Sequence, residues 1–285
     1  RRQRQMCIRD RPRITWLILM STGVGYFFGL RSDWTLPALF HTLLGTALLA
    51  SGTAALNQWY ERGEDARMRR TQGRPLPQGR IAPRAALLFG LALSLGGFLE
   101  LWLGVNLLAG LLGALTVAMY LLLYTPLKTR SPLSTTVGAF PGAMPPLIGY
   151  AAASGTLTAE AWTLYVILFL WQFPHFLAIA WMYRTDYERA GIRMLPVVEP
   201  DGRSTAWRIV LYSLALVPVS LAPVVLSMSG RLYLAGALVL GSLYFLSGIR
   251  LLAERTAWRA RQVLLASVLY LPLLYGLMLL DRPGL

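Results

Sequence analysis

The sequence is short of charge, of cysteine and of histidine, and each shortage closes off a class of protein. Only 14% of its 285 residues are Asp, Glu, Lys or Arg, where a soluble protein has about 25%. No stretch is polar and long enough to fold alone as a soluble domain. A single cysteine, Cys7, excludes an intrachain disulfide and any metal site made of thiolates. There is no His-Glu-x-x-His metal motif, no Gly-x4-Gly-Lys phosphate loop and no Gly-x-Ser-x-Gly nucleophile turn. Lys and Arg outnumber Asp and Glu by 27 to 13, a formal net charge of +14. With no soluble basic domain to use it, that excess does not read as nucleic-acid binding.

What the chain has is apolar length. It is 55% hydrophobic, in runs separated by short polar connectors. About 20 consecutive apolar residues span a bilayer as a helix, and lipid forces backbone polar groups to pair within the segment. The fold class is therefore all-α: a polytopic helical membrane protein, one domain over 1–285 with a basic tail at 1–13. Nine spans are expected near 14–30, 35–57, 83–103, 106–124, 134–153, 161–183, 206–227, 231–251 and 262–280. The first lacks a small-residue cleavage site at Phe28-Gly29-Leu30-Arg31 and reads as a retained helix. Pro141, Pro145 and Pro146 predict a kinked or broken fifth span lying beside other protein.

Charge placement follows from nine spans. If connectors alternate between sides, all but three of the 27 Lys and Arg fall on one side. The exceptions are Arg31, Arg231 and Arg282. The positive-inside rule then puts the N-terminus in the cytoplasm and the C-terminus outside, in what would be a bacterial plasma (inner) membrane.

One connector gathers both signs. Glu61, Glu64 and Asp65 stand among Arg62, Arg67, Arg69, Arg70, Arg74 and Arg80. Asn57, Glu61 and Asp65 are spaced i, i+4, i+8, so a continuing helix would line them on one face. An amide and two carboxylates are oxygen ligands that suit Mg²⁺, which uses one or two carboxylates plus substrate phosphates. The arginines suit the phosphates, which guanidinium pairs with bidentately. The plainer alternative is a solvated loop with surface ion pairs worth at most ~1 kcal/mol each. Lys128 and Arg130, and then Arg184, Asp186 and Glu188, fall in later connectors on the same side. A cavity open to that side would hold a diphosphate at its mouth and a lipid tail below.

Taken together, Asn57-x3-Glu61-x3-Asp65 with RTQGRPLP, YTPLK (124–128), GAFPGAMPPLIGY (138–150), WQFPHF (171–176) and DYERAGIRMLPV (186–197) resemble the UbiA superfamily of intramembrane prenyltransferases. Within it they are most similar to the branch that farnesylates protohaem IX. The blocks run in family order along most of the chain. Glu61 stands where the family usually has Asp, Arg193 where Pro is common, and Thr129 where a basic residue is expected. Asp186 is followed four residues on by Ala190, not by a second Asp, which favours the haem branch.

The resemblance implies a reaction and roles. Farnesyl diphosphate would lose diphosphate, its allylic carbon would attach to a vinyl group of haem B, and water would supply a hydroxyl, giving haem O. Asn57, Glu61, Asp65 and Asp186 would be the catalytic and Mg²⁺-binding set. Arg70, Arg74, Lys128, Arg130 and Arg184 would bind diphosphate. Trp171, Gln172, His175 and Tyr187 would meet the haem. Trp171, Tyr124 and Tyr187 could draw an allylic cation to their faces or simply anchor at the interface. His175 could ligate iron, bond a haem propionate, or cap backbone freed by Pro174. His41 is read as structural with no polar company, and Glu100 as snorkelling to water. The product would pass to haem A synthase or oxidase assembly factors. Two other readings stay open: a UbiA-type enzyme with a quinone-precursor or chlorophyllide-like acceptor, and a transporter, which would place its polar groups near the midplane.

Overall fold

The computed structural model describes residues 11–30 and 35–283, and among them every regular element is a helix. Residues 1–10 of the expected tail, with Cys7, and Arg31 lie outside the described residues; from Arg11 on, the backbone is helix. In chain order α1 is Arg11–Gly29, α2 Leu36–Tyr60, α3 Arg62–Arg67, α4 Pro83–Gly104 and α5 Leu107–Leu127. Then come α6 Ser134–Gly142, α7 Met144–Ser154, α8 Ala159–Met182, α9 Arg184–Arg189 and α10 Leu195–Val198. The last are α11 Arg203–Val219, α12 Ala222–Val225, α13 Arg231–Ala253 and α14 Ala257–Leu280.

Among the described residues seven stretches are long and apolar enough to cross a membrane: α2, α4, α5, α8, α11 with α12, α13 and α14. The other two expected spans are helical but short or interrupted. The apolar part of α1 is Thr15–Gly29, and the fifth span breaks at Ala143 between α6 and α7. The break has the expected cause, since Pro145 and Pro146 offer no N–H to close the ladder. Its surroundings fit as well: every residue of 144–152 is buried, as a non-helical joint in a membrane protein requires.

The chain divides into two compact units, one of 1–157 with 185–192, the other of 158–184 with 193–285. In the first, α1 and α7 meet backbone to backbone. A Cβ on Gly149 would lie 1.9 Å from the Thr22 carbonyl oxygen, and one on Gly25 2.1 Å from that of Pro146. Only glycine fits either place, the small-residue packing by which helices associate without a hydrophobic drive. Outward faces are apolar: Leu88, Leu95 and Leu103 on α4 and Val239, Leu243 and Leu246 on α13 are exposed, which suits lipid and not water.

The second unit buries Tyr233, Tyr244 and Tyr270, and the hydroxyls of these three are engaged. Tyr233 donates to the Ser220 carbonyl at 2.7 Å, Tyr270 lies 2.5 Å from the Ser220 hydroxyl, and Tyr244 donates to the Trp171 carbonyl at 3.2 Å. Each buried hydroxyl thus offsets its own desolvation cost.

Candidate active site

The acidic row sits where α2 ends and α3 begins. The helix does not run on as the spacing predicts, because Glu61 takes φ −85°, ψ 14° between them. The register survives the bend. The Glu61 N–H bonds the Asn57 carbonyl at 2.8 Å and the Asp65 N–H bonds the Glu61 carbonyl at 2.8 Å. Asn57, Glu61 and Asp65 therefore keep their i, i+4, i+8 relation. Both carboxylates are buried, Glu61 8% and Asp65 1% exposed, which is not the solvated loop of the plainer reading.

Each carboxylate has a cation. Lys128 Nζ lies 2.7 Å from Glu61 Oε1, and Arg74 Nη1 lies 2.5 Å from Asp65 Oδ2. Asn57 Nδ2 donates to Glu61 Oε2 at 2.8 Å, while its Oδ1 accepts from the Thr125 hydroxyl at 2.9 Å. Thr71 ties the arginine-rich connector to the row, its hydroxyl donating to the Asp65 carbonyl at 2.8 Å. Among the described residues, Asp65 Oδ1 is buried without a hydrogen-bond partner. Burial pushes the Asp65 pKa up, against the pull of Arg74. For Lys128, burial alone would lower the pKa. The Tyr124 and Tyr120 hydroxyls and the Glu61 carboxylate more than offset that, so it is raised and the ammonium stays charged.

A turn of π-helix aims Lys128. Over Met119–Tyr124 the ladder widens, and the Thr125 N–H bonds the Tyr120 carbonyl. Pro126, which follows, has no N–H with which to resume an α ladder at once. The extra residue sets Lys128 4.3 Å from the centre of the Tyr124 ring and 5.8 Å from that of Tyr120. Both faces favour a cation, and π turns recur at functional sites.

The remaining expected residues divide. Arg70 reaches the Tyr187 hydroxyl at 3.4 Å, its guanidinium 5.9 Å from that ring. Tyr187 thus meets an arginine of the first unit, whereas Trp171, Gln172 and His175 belong to the second. Arg130 is exposed. Arg184 folds onto its own helix end, 3.0 Å from the Trp181 carbonyl and 4.3 Å from that ring. The Asp186 carboxylate is held by Arg189 at 3.4 Å. No three His, Cys, Asp or Glu side chains among the described residues come together to hold a metal, so Asp186 does not join Glu61 and Asp65 in this geometry. In the second unit, Trp171 and Gln172 are buried on α8 and His175 is half-buried. The His175 ring stacks on Trp171, centres 4.8 Å apart and planes at 24°. His175 Nδ1 lies 2.7 Å from the Ser267 hydroxyl on α14.

A match to the UbiA prenyltransferase family runs over residues 18–275. The chain belongs to the UbiA prenyltransferase family. It is 66% identical over 284 residues to the protoheme IX farnesyltransferase of Solibacter usitatus, covering 96% of this chain and 97% of that one. To the protoheme IX farnesyltransferase of Koribacter versatilis it is 49% identical over 285 residues, covering 95% and 91%. Among solved structures it resembles a UbiA homologue from Aeropyrum pernix K1 at TM-score 0.75 and 23% identity, covering 95% of this chain and 98% of that one. It also resembles a UbiA homologue from Archaeoglobus fulgidus bound to DMAPP and Mg²⁺ at 0.64 and 17%, covering 96% and 98%. At those identities the likeness is one of fold. As a UbiA member with these seven apolar stretches, the chain is an integral membrane prenyltransferase.

Some members of the site were not singled out in the sequence. Thr125 and Tyr120 orient Asn57 and Lys128, and Thr71 fixes the connector; Thr125 sits inside the YTPLK block, the one signal available for it. Ser267 stands out only as the one serine of an apolar helix. His41, read as lacking polar company, is bonded to Glu100, Nδ1 to Oε1 at 2.7 Å. Glu100 therefore does not simply reach for water. A packed bundle sets partners 59 residues apart side by side, which spacing along one helix cannot reveal.

Proposed function

We propose that this protein transfers the farnesyl group of farnesyl diphosphate to a vinyl group of haem B, giving haem O and diphosphate, with Mg²⁺ held at the α2–α3 junction. The observation that carries the reading is a pair of buried carboxylates, each faced by a buried or half-buried cation, on a face that also presents the Asn57 amide. The names of the relatives at 66% and 49% identity support the haem acceptor. The Archaeoglobus fulgidus homologue, bound to DMAPP and Mg²⁺, supports a metal–diphosphate site on this fold.

The residues fit Mg²⁺. The donors are all oxygen, two carboxylates are what this ion commonly takes from protein beside substrate phosphates, and Asp65 Oδ1 is buried with a lone pair unused. Asn57, Glu61 and Asp65 would hold it, and when bound it would stabilise negative charge on the departing diphosphate. Lys128 and Arg74, which neutralise the carboxylates here, would turn to the phosphate oxygens once the carboxylates are otherwise occupied. Their positive charge then stands where negative charge grows as the C–O bond breaks. Arg70 is a further phosphate donor in this reading. The new C–C bond forms at the haem vinyl carbon; water adds to the adjacent carbon and gives up a proton. We assign Trp171, Gln172 and His175 to the haem, and Asp186, Tyr187, Arg130 and Arg184 to supporting places along the substrates. We take 1–285 as a single prenyltransferase domain in a bacterial plasma membrane, with the Lys- and Arg-rich connectors and the N-terminus cytoplasmic. Downstream, haem A synthase or oxidase assembly factors would receive the product.

The test is direct. Purified protein in detergent, given farnesyl diphosphate, Mg²⁺ and haem B, should release diphosphate and form a more apolar haem species. Diphosphate release coupled to a quinone precursor but not to haem B would overturn the acceptor; no prenyl transfer to either would overturn the reaction.

A further inference from the structure

The bonds around His175 decide which of its ring nitrogens carries the proton. The Ser267 hydroxyl has one hydrogen, and its neighbours include the Leu264 carbonyl oxygen at 2.6 Å and His175 Nδ1 at 2.7 Å, with the Tyr244 hydroxyl also within bonding reach. A carbonyl oxygen can only accept. At 2.6 Å it would clash electrostatically with the serine oxygen unless the serine hydrogen lay between them. The hydroxyl therefore donates to Leu264, the usual bond of a helical serine to its own preceding turn. Its oxygen is left to accept from His175, so in the neutral ring Nδ1 bears the hydrogen and Nε2 bears the lone pair. Nε2 has no hydrogen bond among the described residues. The ring is also fixed in place. Trp171 stacks on it, and the Trp171 Nε1–H donates to the Ser267 carbonyl at 2.8 Å. One serine thus holds both the ring and the indole that backs it.

We infer that Ser267 is a positioning residue that makes His175 present a bare Nε2 lone pair, suited to the iron of a haem and not to its propionates. The inference rests on the haem-acceptor reading above. A propionate carboxylate only accepts hydrogen bonds and would need an N–H at Nε2. Iron is a Lewis acid and needs the lone pair. A histidine ligand whose other nitrogen donates to an oxygen is the arrangement by which partners beyond the ligand fix its tautomer. Three fates of His175 are open on the sequence: iron ligand, propionate donor or backbone cap. The serine hydrogen selects the first.

The chain has only two histidines, so ¹⁵N-histidine labelling in a His41→Gln background leaves one ring to observe. In haem-free protein at neutral pH we expect the Nδ1–H tautomer, opposite to free histidine, which favours Nε2–H. Ser267→Ala should move the signals toward the Nε2–H pattern, and Ser267→Thr, which keeps the hydroxyl, should retain the original one. An Nε2–H tautomer in the unsubstituted Ser267 protein overturns the inference, whether or not Ser267→Ala folds. Haem B titration is the second measurement. Binding should shift the Soret band, His175→Ala should abolish that shift, and Ser267→Ala should weaken binding several-fold, with Ser267→Thr restoring it. A shift unchanged in His175→Ala overturns the iron assignment. Failure to bind haem at all, with the Nδ1–H tautomer intact, overturns the acceptor reading instead, so the two failures are told apart.

Discussion

The α2–α3 junction in the first unit and the His175 cluster in the second both hold polar groups in an apolar protein, but by different means. At the junction charges face charges: Glu61 with Lys128 and Asp65 with Arg74. Around His175 every partner is neutral, a hydroxyl, an indole and two carbonyls. The location explains the contrast. The junction lies at helix ends and in connectors, where a cation from another segment can be delivered to each acid. His175 lies within an apolar stretch, where a charge costs several kcal/mol and a chain of neutral bonds does not. A site built from ion pairs is ready to exchange one ion for another, as a metal–diphosphate substrate requires. One built from neutral bonds fixes an orientation.

Breaking the charged site should have the largest effect. Lys128→Met strands the Glu61 carboxylate, and both side chains are only 11% exposed. Removing one partner of such a pair costs about 3–5 kcal/mol. Thermal melts in detergent should show it, and Glu61→Gln added to Lys128→Met should recover most of the stability but none of the prenyl transfer. Next, Asp65→Asn keeps an acceptor for Arg74 but loses the charge. Diphosphate release should fall about 10²–10³-fold, the usual cost of removing one electrostatic contact to a developing charge, with little change in melting temperature. Near-normal turnover would remove Asp65 from the metal set. Acidification should mimic that substitution. The Asp65 pKa is raised by burial, so a proton competes for the carboxylate above the ordinary aspartate range, and Mg²⁺ affinity should fall as pH drops through that raised value.

The neutral site should break more gently. His175→Ala should slow haem prenylation about tenfold, equivalent to about 1.4 kcal/mol, while leaving binding of a farnesyl diphosphate analogue unchanged; lost analogue binding would mean that the two sites are not separate in function. Smallest is the control pair. His41 and Glu100 are 38% and 26% exposed, so either alanine variant should cost no more than ~1 kcal/mol and leave turnover intact. A larger loss would mean that this pair, and not the junction, sets the tolerance for charge.

Much of this was legible in the sequence. Apolar length gave the helical class, and the prolines at 141, 145 and 146 marked the break at Ala143. The i, i+4, i+8 row survived a bend that the spacing alone did not show, because Glu61 keeps the ladder on both of its sides. What escaped was whatever depends on a partner from another segment. Asp186 looked equal to Asp65 as an acid in a polar connector, yet one is 1% exposed and the other is engaged by a neighbour three residues away. Arg74, Lys128 and Arg184 looked alike as cations, but only the first two find carboxylates. Thr125 and Ser267 carry no charge and break no periodicity, so beyond the YTPLK block around Thr125 and the rarity of serine in α14 little marked them until their hydroxyls were seen to be bonded.

The π turn at Met119–Tyr124 has a consequence for transplanting parts between relatives. It holds one residue more than an α-helix would over the same rise, so every position after it is out of step with the apolar stripe before it. A plain α-helix of the same length imported into this span would leave composition, length and hydropathy almost unchanged. It would swing Lys128 about 100° around the axis, away from Glu61 and from the face of Tyr124. The portable unit here is therefore not the YTPLK block but that block together with the irregular turn that addresses it.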